Sequence, residues 1–178
     1  SEGQAGSMRE QFVNVSDIAP TIYDLLGITP PASYRGAEQM PVTGHSFVTV
    51  LNDASSLAVN TLQYFENSGS RALINECDGV WWKAVTKHNQ GDDFDTEPWE
   101  LYDLSADPSE CNNLAETEPA KLVALVDLWW QEAQQHGVLP LDDRGFELFN
   151  SQLTDHGPHR PDRRYSYRPP MSPIPASA

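Results

Sequence analysis

The chain has 178 residues, and its 26 Asp and Glu against 11 Lys and Arg give a formal net charge of −15. Nucleic-acid phosphates and anionic membrane surfaces repel such a chain, so its composition argues against both as partners. No apolar run reaches the ~20 residues of a membrane-spanning helix, and the N-terminus lacks the charged-then-apolar pattern of a signal peptide. We therefore expect a cytoplasmic or periplasmic protein, two compartments that the sequence does not distinguish.

The first predicted element is an amphipathic helix near the N-terminus. Ser16 or Asp17 can accept a hydrogen bond from the free N–H groups of its first turn, and Gly27 allows a left-handed end. Apolar residues recur at steps of three and four: Ile18, Ile22, Leu25 and Leu26. After an irregular loop, a short helical turn is predicted from Ser46 to Leu51.

Four short strands are predicted next, because from Thr61 the apolar period changes from about 3.6 residues to about 2. They cover residues 61–66, 71–75, 80–86 and 99–104. Turn-forming residues separate the first two strands, and Asp78-Gly79 is a strong hairpin signal between the second and the third. Strands connected in this way are expected to form an antiparallel sheet.

A long helix is predicted to cover the apolar face of this sheet. It starts at Thr117 to Pro119 and runs to about His136, and Gly137 ends it. Its apolar stripe consists of Leu122, Leu125, Val126, Trp129 and Ala133. The predicted fold class is therefore α+β, a four-stranded antiparallel sheet covered by one long C-terminal helix.

The last part of the chain, residues 151–178, is predicted to be an extended tail. It is rich in proline and carries four arginines, Arg160, Arg163, Arg164 and Arg168. No packed core follows from this composition, so the tail is either disordered or held by something outside the chain.

Few residues form a catalytic or metal-binding pattern. The five histidines are scattered, and for His156 and His159, three residues apart in the tail, a solvated loop is favoured over a metal site. Asp92, Asp93 and Asp95 are spaced like the start of a calcium loop, but the glycine precedes them and no Glu closes the pattern. A solvated hairpin loop is favoured there too.

Two further groups of residues give only weak evidence about function. Cys77 and Cys111 are too few for a disulfide framework or a zinc site, and are either free thiols or a pair across the sheet. Asp142, Asp143 and Arg144 are predicted to form a local ion pair, which is weak evidence for any function.

Two stretches resemble the sulfatases of the alkaline phosphatase superfamily. FVNVSDIAPTIYDLLGI, from Phe12 to Ile28, is similar to the helix that leads out of the sulfatase catalytic domain. PWELYDLSADPSECNNLAETEP, from Pro98 to Pro119, is similar to a run found near the end of these enzymes. The order of QYFE, GSRAL, WWKAVTKH and LPLDDR is similar to the large bacterial arylsulfatases.

The resemblance implies the C-terminal part of an arylsulfatase, a sulfuric ester hydrolase. Residues 1–58 would be the end of an α/β catalytic domain with a linker, 59–150 the α+β subdomain, and 151–178 a tail leading to a further segment. The first helix would belong to the missing catalytic domain, which would be the main partner of this chain. An exposed apolar face centred on Ile18, Ile22 and Tyr23 is then expected.

The family hydrolyses small sulfate esters with a formylglycine, made in a Cys/Ser-x-Pro/Ala-x-Arg motif, and a divalent metal, usually calcium. Cys77 is followed by DGVW and Cys111 by NNLA, so neither matches the motif. We therefore assign no catalytic residue, no metal ligand and no cofactor to this chain. Formylglycine and calcium are expected in the missing catalytic domain, and the fragment alone is expected to be inactive.

One contribution to substrate binding is predicted within the chain. Arg71, Lys87 and His88 are candidates to border the substrate entrance, because cationic side chains near a sheet edge can attract an anionic ester. The alternative is that Arg71 forms a structural ion pair with Glu66 or Glu76. Asp103, Asp107 and Glu110 are predicted to be structural residues of a turn-and-cap motif.

Two other functions stay open. The chain can be a non-catalytic binding or interaction module with the shape of a sulfatase subdomain, or part of a phosphatase or phosphonate hydrolase of the same superfamily. The fragment hypothesis is preferred because the N-terminal stretch resembles a linker, and because the C-terminal PPMSPIPASA resembles the approach to another segment.

Overall fold

A computed structural model describes residues 6–144 and the backbone of residues 167–168. The chain divides into two compact units, Ser1–Gln63 and Tyr64–Ala178. The domain boundaries expected from the sequence, after residues 58 and 150, stay predictions, and the second lies outside the described residues together with most of the predicted tail.

The first unit contains two helices and a two-stranded ribbon. A 3-10 turn over Val15–Asp17 leads into α1, Ile18–Leu26, and α2 covers Val48–Asn52. Strands β1, Ser33–Tyr34, and β2, Ala37–Glu38, form the antiparallel ribbon between these helices. Gly27 ends α1 in the left-handed conformation at φ 65°, as predicted.

The N-terminal cap of this helical segment is not the predicted one. Asp17 occupies the N-cap position of α1, but its side chain makes no capping hydrogen bond to the first turn. Asn14 caps the preceding 3-10 turn, where its side chain accepts the N–H of Ser16 at 3.1 Å. In the reverse direction, Oδ2 of Asp17 accepts a hydrogen bond from the backbone N–H of Asn14 at 2.8 Å. This reciprocal capping box satisfies N–H groups of the helix start one turn earlier than the sequence suggested.

The isoleucines and leucines of α1 are exposed, as expected from the sequence, whereas Tyr23, the third residue of the expected apolar face, is half-buried. Ile18 and Ile22 are 49% and 48% exposed, and Leu25 and Leu26 are 60% and 66% exposed. The buried side of the helix is polar: Thr21 donates to the carbonyl oxygen of Asp17 at 2.6 Å and accepts the N–H of Phe47 at 3.0 Å.

The second unit is built on the predicted four-stranded sheet. Its strands are β3, Leu62–Asn67, β4, Ser70–Cys77, β5, Val80–Thr86, and β6, Glu100–Asp103, in the spatial order β3-β4-β5-β6. The antiparallel register aligns Leu73 with Ala84 and Ala84 with Leu101, and all three side chains are fully buried. A short strand β7, Leu141–Asp142, pairs with β8, Tyr167–Arg168.

Helix α3, Pro119–Gln135, packs on strands β4 and β5, as the sequence predicted. Pro119 occupies its first turn, where the missing N–H costs no intrahelical bond. Leu125, Trp129 and Ala133 of its apolar stripe are buried in the core. No helix of the described residues is long and apolar enough to cross a membrane.

Trp129 is the largest side chain of this core that is fully buried. Its Nε1 donates to the carbonyl oxygen of Phe65 at 3.0 Å, and its ring packs edge-on against Trp130 at 4.8 Å between centroids. Trp129 therefore attaches helix α3 to the sheet in two ways, by burying its apolar ring and by donating a hydrogen bond to strand β3.

Trp129→Ala is expected to lower the free energy of unfolding by about 3–5 kcal/mol, because it leaves a large cavity. Urea denaturation measures the change. Val123→Ala is the matched control, since Val123 lies on the same helix but is 60% exposed; it should change the unfolding free energy by less than about 0.5 kcal/mol. Equal effects of the two variants would contradict the placement of Trp129.

Candidate functional site

Four charged or titratable side chains meet inside the second unit. We call them the ionic cluster: Arg71, His88, Glu97 and Asp143. Strand β4 carries Arg71, His88 follows β5, Glu97 precedes β6, and Asp143 follows β7. The four side chains are between 0% and 6% exposed, so the cluster lies in the core.

Glu97 connects two members of the ionic cluster. Its Oε2 accepts a hydrogen bond from the guanidinium of Arg71, and its Oε1 lies 2.5 Å from Nδ1 of His88. The other ring nitrogen, Nε2, lies 3.1 Å from Oδ2 of Asp143. Each ring nitrogen of His88 therefore faces a carboxylate oxygen.

The imidazole ring of His88 lies in a narrow slot. It stacks on the ring of Phe94 with 4.2 Å between the centroids and 16° between the planes. Gly69, at φ +89°, comes so close that a Cβ there would lie 2.4 Å from Cδ2 of His88. The backbone N–H of His88 donates to Ser70 at 3.1 Å. Backbone, ring and hydrogen bonds together therefore fix the orientation of this side chain.

Aromatic rings surround the guanidinium of Arg71. Its Cζ lies 5.3–5.7 Å from the centroids of four rings, those of Phe94, Trp99, Trp129 and Trp130. Its Nη2 also donates to the carbonyl oxygen of Phe94 at 3.1 Å. Ring faces attract a cation electrostatically, and the attraction grows when the cation is shielded from water. A charge in the core is thus compensated by Glu97 and by the rings.

The three residues predicted at a substrate entrance divide into two groups. Arg71 and His88 belong to the buried ionic cluster, whereas Lys87 is exposed. The expected pairing of Arg71 with Glu66 or Glu76 is replaced by an ion pair with Glu97. Each expected partner instead accepts a turn N–H, Glu66 from Gly69 and Glu76 from Gly79, because it closes a local hairpin turn.

Glu97 and Asp143 are the two members of the ionic cluster that the sequence interpretation missed. Only Asp142 pairs locally with Arg144, and this hydrogen bond lowers the pKa of Asp142 below its ordinary value. Asp143 instead accepts the N–H of Gly91 at 2.6 Å and contacts His88. In a strand, alternate side chains point to the same face, so Asp143 is expected on the face of the apolar Leu141. The structure has this alternation: Leu141 and Asp143 are buried, and Asp142 between them is more exposed.

The other acidic groups have structural roles, as predicted for the turn after β6. Asp103 accepts the N–H of Ser105 at 2.9 Å, and Asp107 accepts those of Cys111 and Asn112 at 2.8 Å. Glu110 forms an ion pair with Lys83.

Neither a metal site nor a disulfide is found in the part of the chain that the structure describes. Within residues 6–144, no three His, Cys, Asp or Glu side chains could hold a metal ion together. The loop residues Asp92 and Asp93 accept bonds from Asn89 and Asp95 instead. Cys77 and Cys111 are free thiols.

Comparisons with known proteins match the sequence of this chain to sulfatases. The family model described as N-sulphoglucosamine sulphohydrolase, C-terminal, matches residues 2–134. An uncharacterized sulfatase of Schizosaccharomyces pombe is 30% identical over 136 residues, which is 75% of this chain and 23% of that protein. N-acetylglucosamine-6-O-sulfatase of Bacteroides thetaiotaomicron is 30% identical over 113 residues, 62% of this chain and 19% of that protein.

A solved structure, described as a complex with its substrate D-glucosamine-2-N,6-O-disulfate, aligns at 24% identity with a TM-score of 0.47. The alignment covers 72% of this chain and 25% of that chain. The present chain spans about a fifth of the length of the curated relatives it matches.

The family model covers well over half of the residues, from the first unit to helix α3. The chain therefore belongs to the sulfatase family that this C-terminal model describes.

Gly69→Ala is expected to destabilise the protein more than Gly79→Ala. Both glycines have positive φ, +89° and +82°, but a Cβ at Gly79 meets nothing within 4 Å. The backbone strain is therefore comparable, and only Gly69→Ala pushes on His88, at an additional cost of about 1–3 kcal/mol. Chemical denaturation of both variants measures the difference. Equal losses would show that the slot around His88 is not tight.

Glu97→Gln is expected to cost about 3–5 kcal/mol of unfolding free energy, because it leaves the buried guanidinium of Arg71 without its opposing charge. The control is Glu116→Gln at an exposed position, which should stay within about 0.5 kcal/mol of the parent. A Glu97→Gln variant as stable as this control would mean that the ionic cluster does not support the fold.

Proposed function

We propose that this chain is the C-terminal part of an enzyme that hydrolyses sulfate esters. The observation that supports the proposal is the match of a sulfatase C-terminal family model to residues 2–134, with sulfatases among the relatives. In this proposal the chain completes the fold of the enzyme and shapes its substrate cleft. By itself the chain is inactive.

The chemistry is proposed to reside upstream, in a domain that holds a formylglycine and a divalent metal such as calcium. The described residues of this chain do not fit such a metal. His88, Glu97 and Asp143 are the titratable groups gathered most closely, but their facing atoms are engaged by each other and by Arg71. The guanidinium of Arg71 already supplies the positive charge that a metal would bring. In this proposal these residues take no part in the catalytic step.

The names of the relatives favour sulfated amino sugars as the first substrates to test. The family model is named for an N-sulphoglucosamine sulphohydrolase, and one relative is an N-acetylglucosamine-6-O-sulfatase. Another relative, 27% identical over 118 residues, is arylsulfatase K of Xenopus laevis, which favours including aryl sulfates. A phosphatase or phosphonate hydrolase is the second candidate, because such enzymes share the scaffold.

The proposal predicts that the full-length protein carrying this chain releases sulfate from N-sulfoglucosamine, N-acetylglucosamine-6-sulfate or an aryl sulfate. Ion chromatography of released sulfate, with p-nitrophenyl phosphate hydrolysis measured in parallel, is the test. Higher kcat/KM for the phosphate ester would favour the phosphatase. No hydrolysis of any ester, combined with specific binding of a sulfated sugar, would favour a non-catalytic binding module.

At the substrate entrance, we propose that Lys87 attracts the anionic ester, and that Arg71 and His88 hold Lys87 in position. Lys87 is exposed and directly precedes the buried His88, so the ionic cluster fixes the backbone next to a solvent-accessible ammonium group. Arg71 and His88 are buried and act through this fixed backbone.

Lys87→Gln in the full-length enzyme is expected to raise KM by up to about fivefold, the size of an exposed charge interaction, with little change in kcat. The difference should shrink at high salt, because exposed charges are screened. Lys83→Gln is the control, since Lys83 is engaged with Glu110 at 2.7 Å. If KM were the same in both variants and the parent, Lys87 would have no role at the entrance.

A further inference from the structure

A cysteine and a lysine from different elements meet at the edge of the second unit. Cys77 ends strand β4, and Lys121 lies in the first turn of helix α3. The ammonium nitrogen of Lys121 lies 3.6 Å from the sulfur of Cys77. The chain has only three lysines and two cysteines, and this contact brings one of each together.

A second contact holds the lysine in place. Nζ of Lys121 lies 5.5 Å from the centroid of the Trp82 ring, within the range of a cation–π interaction. Cys77 is half-buried rather than enclosed in the core. The carboxylate of Asp78, 3.6 Å from the same sulfur, borders the site on the hairpin side.

We propose that Cys77 and Lys121 form a sulfenamide bridge when the protein meets hydrogen peroxide. In the first step the sulfur attacks one peroxide oxygen, the O–O bond breaks, and Cys77 becomes a sulfenic acid while water leaves. The sulfur loses two electrons and the peroxide gains them. Sulfenic acids condense with thiols and with nitrogen nucleophiles.

In the second step the neutral amine of Lys121 attacks the sulfenic sulfur. The S–N bond forms, the S–O bond breaks, and the hydroxyl leaves as water with a proton from the amine. The bridged protein is two hydrogen atoms lighter than the reduced protein. A dithiol such as dithiothreitol reverses the bridge: it attacks the sulfur, returns the amine and thiol, and is itself oxidised to the disulfide.

The bridge would clamp helix α3 to the sheet that it covers. Strand β4 and α3 are already packed together. The crosslink requires the two atoms, now 3.6 Å apart, to approach by about 2 Å, which rotation about the side-chain bonds of Lys121 can provide. A covalent link between residues 77 and 121 closes a long loop, which favours the folded state by restricting the unfolded chain.

The test treats the full-length protein with hydrogen peroxide and maps its tryptic peptides by mass spectrometry. Trypsin releases residues 72–83, which contain Cys77, and cuts again after Lys121 unless that amine is blocked. The expected product joins peptide 72–83 to peptide 88–144 and is two hydrogen atoms lighter than their sum. Treatment with dithiothreitol should separate the two peptides and restore cleavage after Lys121.

Two variants complete the design. Cys111→Ser removes the other cysteine of the chain, so that a disulfide between the two cannot be mistaken for the bridge. In that background, Lys121→Arg keeps the positive charge but removes the amine, and no linked peptide is expected. Oxidation of Cys77 without a link to Lys121 would overturn the proposal, and so would a linked peptide that retains a peroxide oxygen.

Discussion

The buried ion pair between Arg71 and Glu97 is the interaction on which the second unit depends. A guanidinium in a protein core is costly unless a carboxylate opposes it and its surroundings are polarisable. Here Glu97 provides the charge, and four aromatic rings provide the surroundings. Two of these rings, Trp129 and Trp130, come from helix α3. The side chain of Arg71 therefore connects the sheet, the covering helix and the loop before β6.

The carboxylate of Glu97 also connects Arg71 to other parts of the second unit. Glu97 also holds His88, and His88 holds Asp143, so one connected set of contacts runs from β4 to the segment after β7. Such a network adds little net stability compared with an apolar core, but each member is costly to remove alone. The long loop between β5 and β6 carries no regular secondary structure. In our interpretation the network gives this loop a single conformation.

The sequence predicted the elements of this fold well, because helices, strands and turns leave local patterns. The stripe of α3 and the Asp78-Gly79 turn were both visible in a few consecutive residues. The ionic cluster was not visible, because its contacts join residues 26, 9 and 55 positions apart. No pattern in a single sequence pairs such distant charges. Two local signals were nevertheless missed: the capping box of Asn14 with Asp17, and the alternation that turns Asp143 inward.

Burial also bears on the contribution to substrate binding that we propose for this chain. Of the three side chains predicted to border a substrate entrance, Arg71 and His88 are buried, whereas Lys87 is exposed to solvent. A buried cation contributes nothing to a substrate directly, but it fixes the backbone that presents an exposed one. The 26 acidic residues of the chain create a negative potential that repels an anionic ester. An exposed lysine held at a fixed place provides a local attraction that opposes this repulsion. The proposed contribution of this chain to substrate binding therefore depends on rigidity in its core.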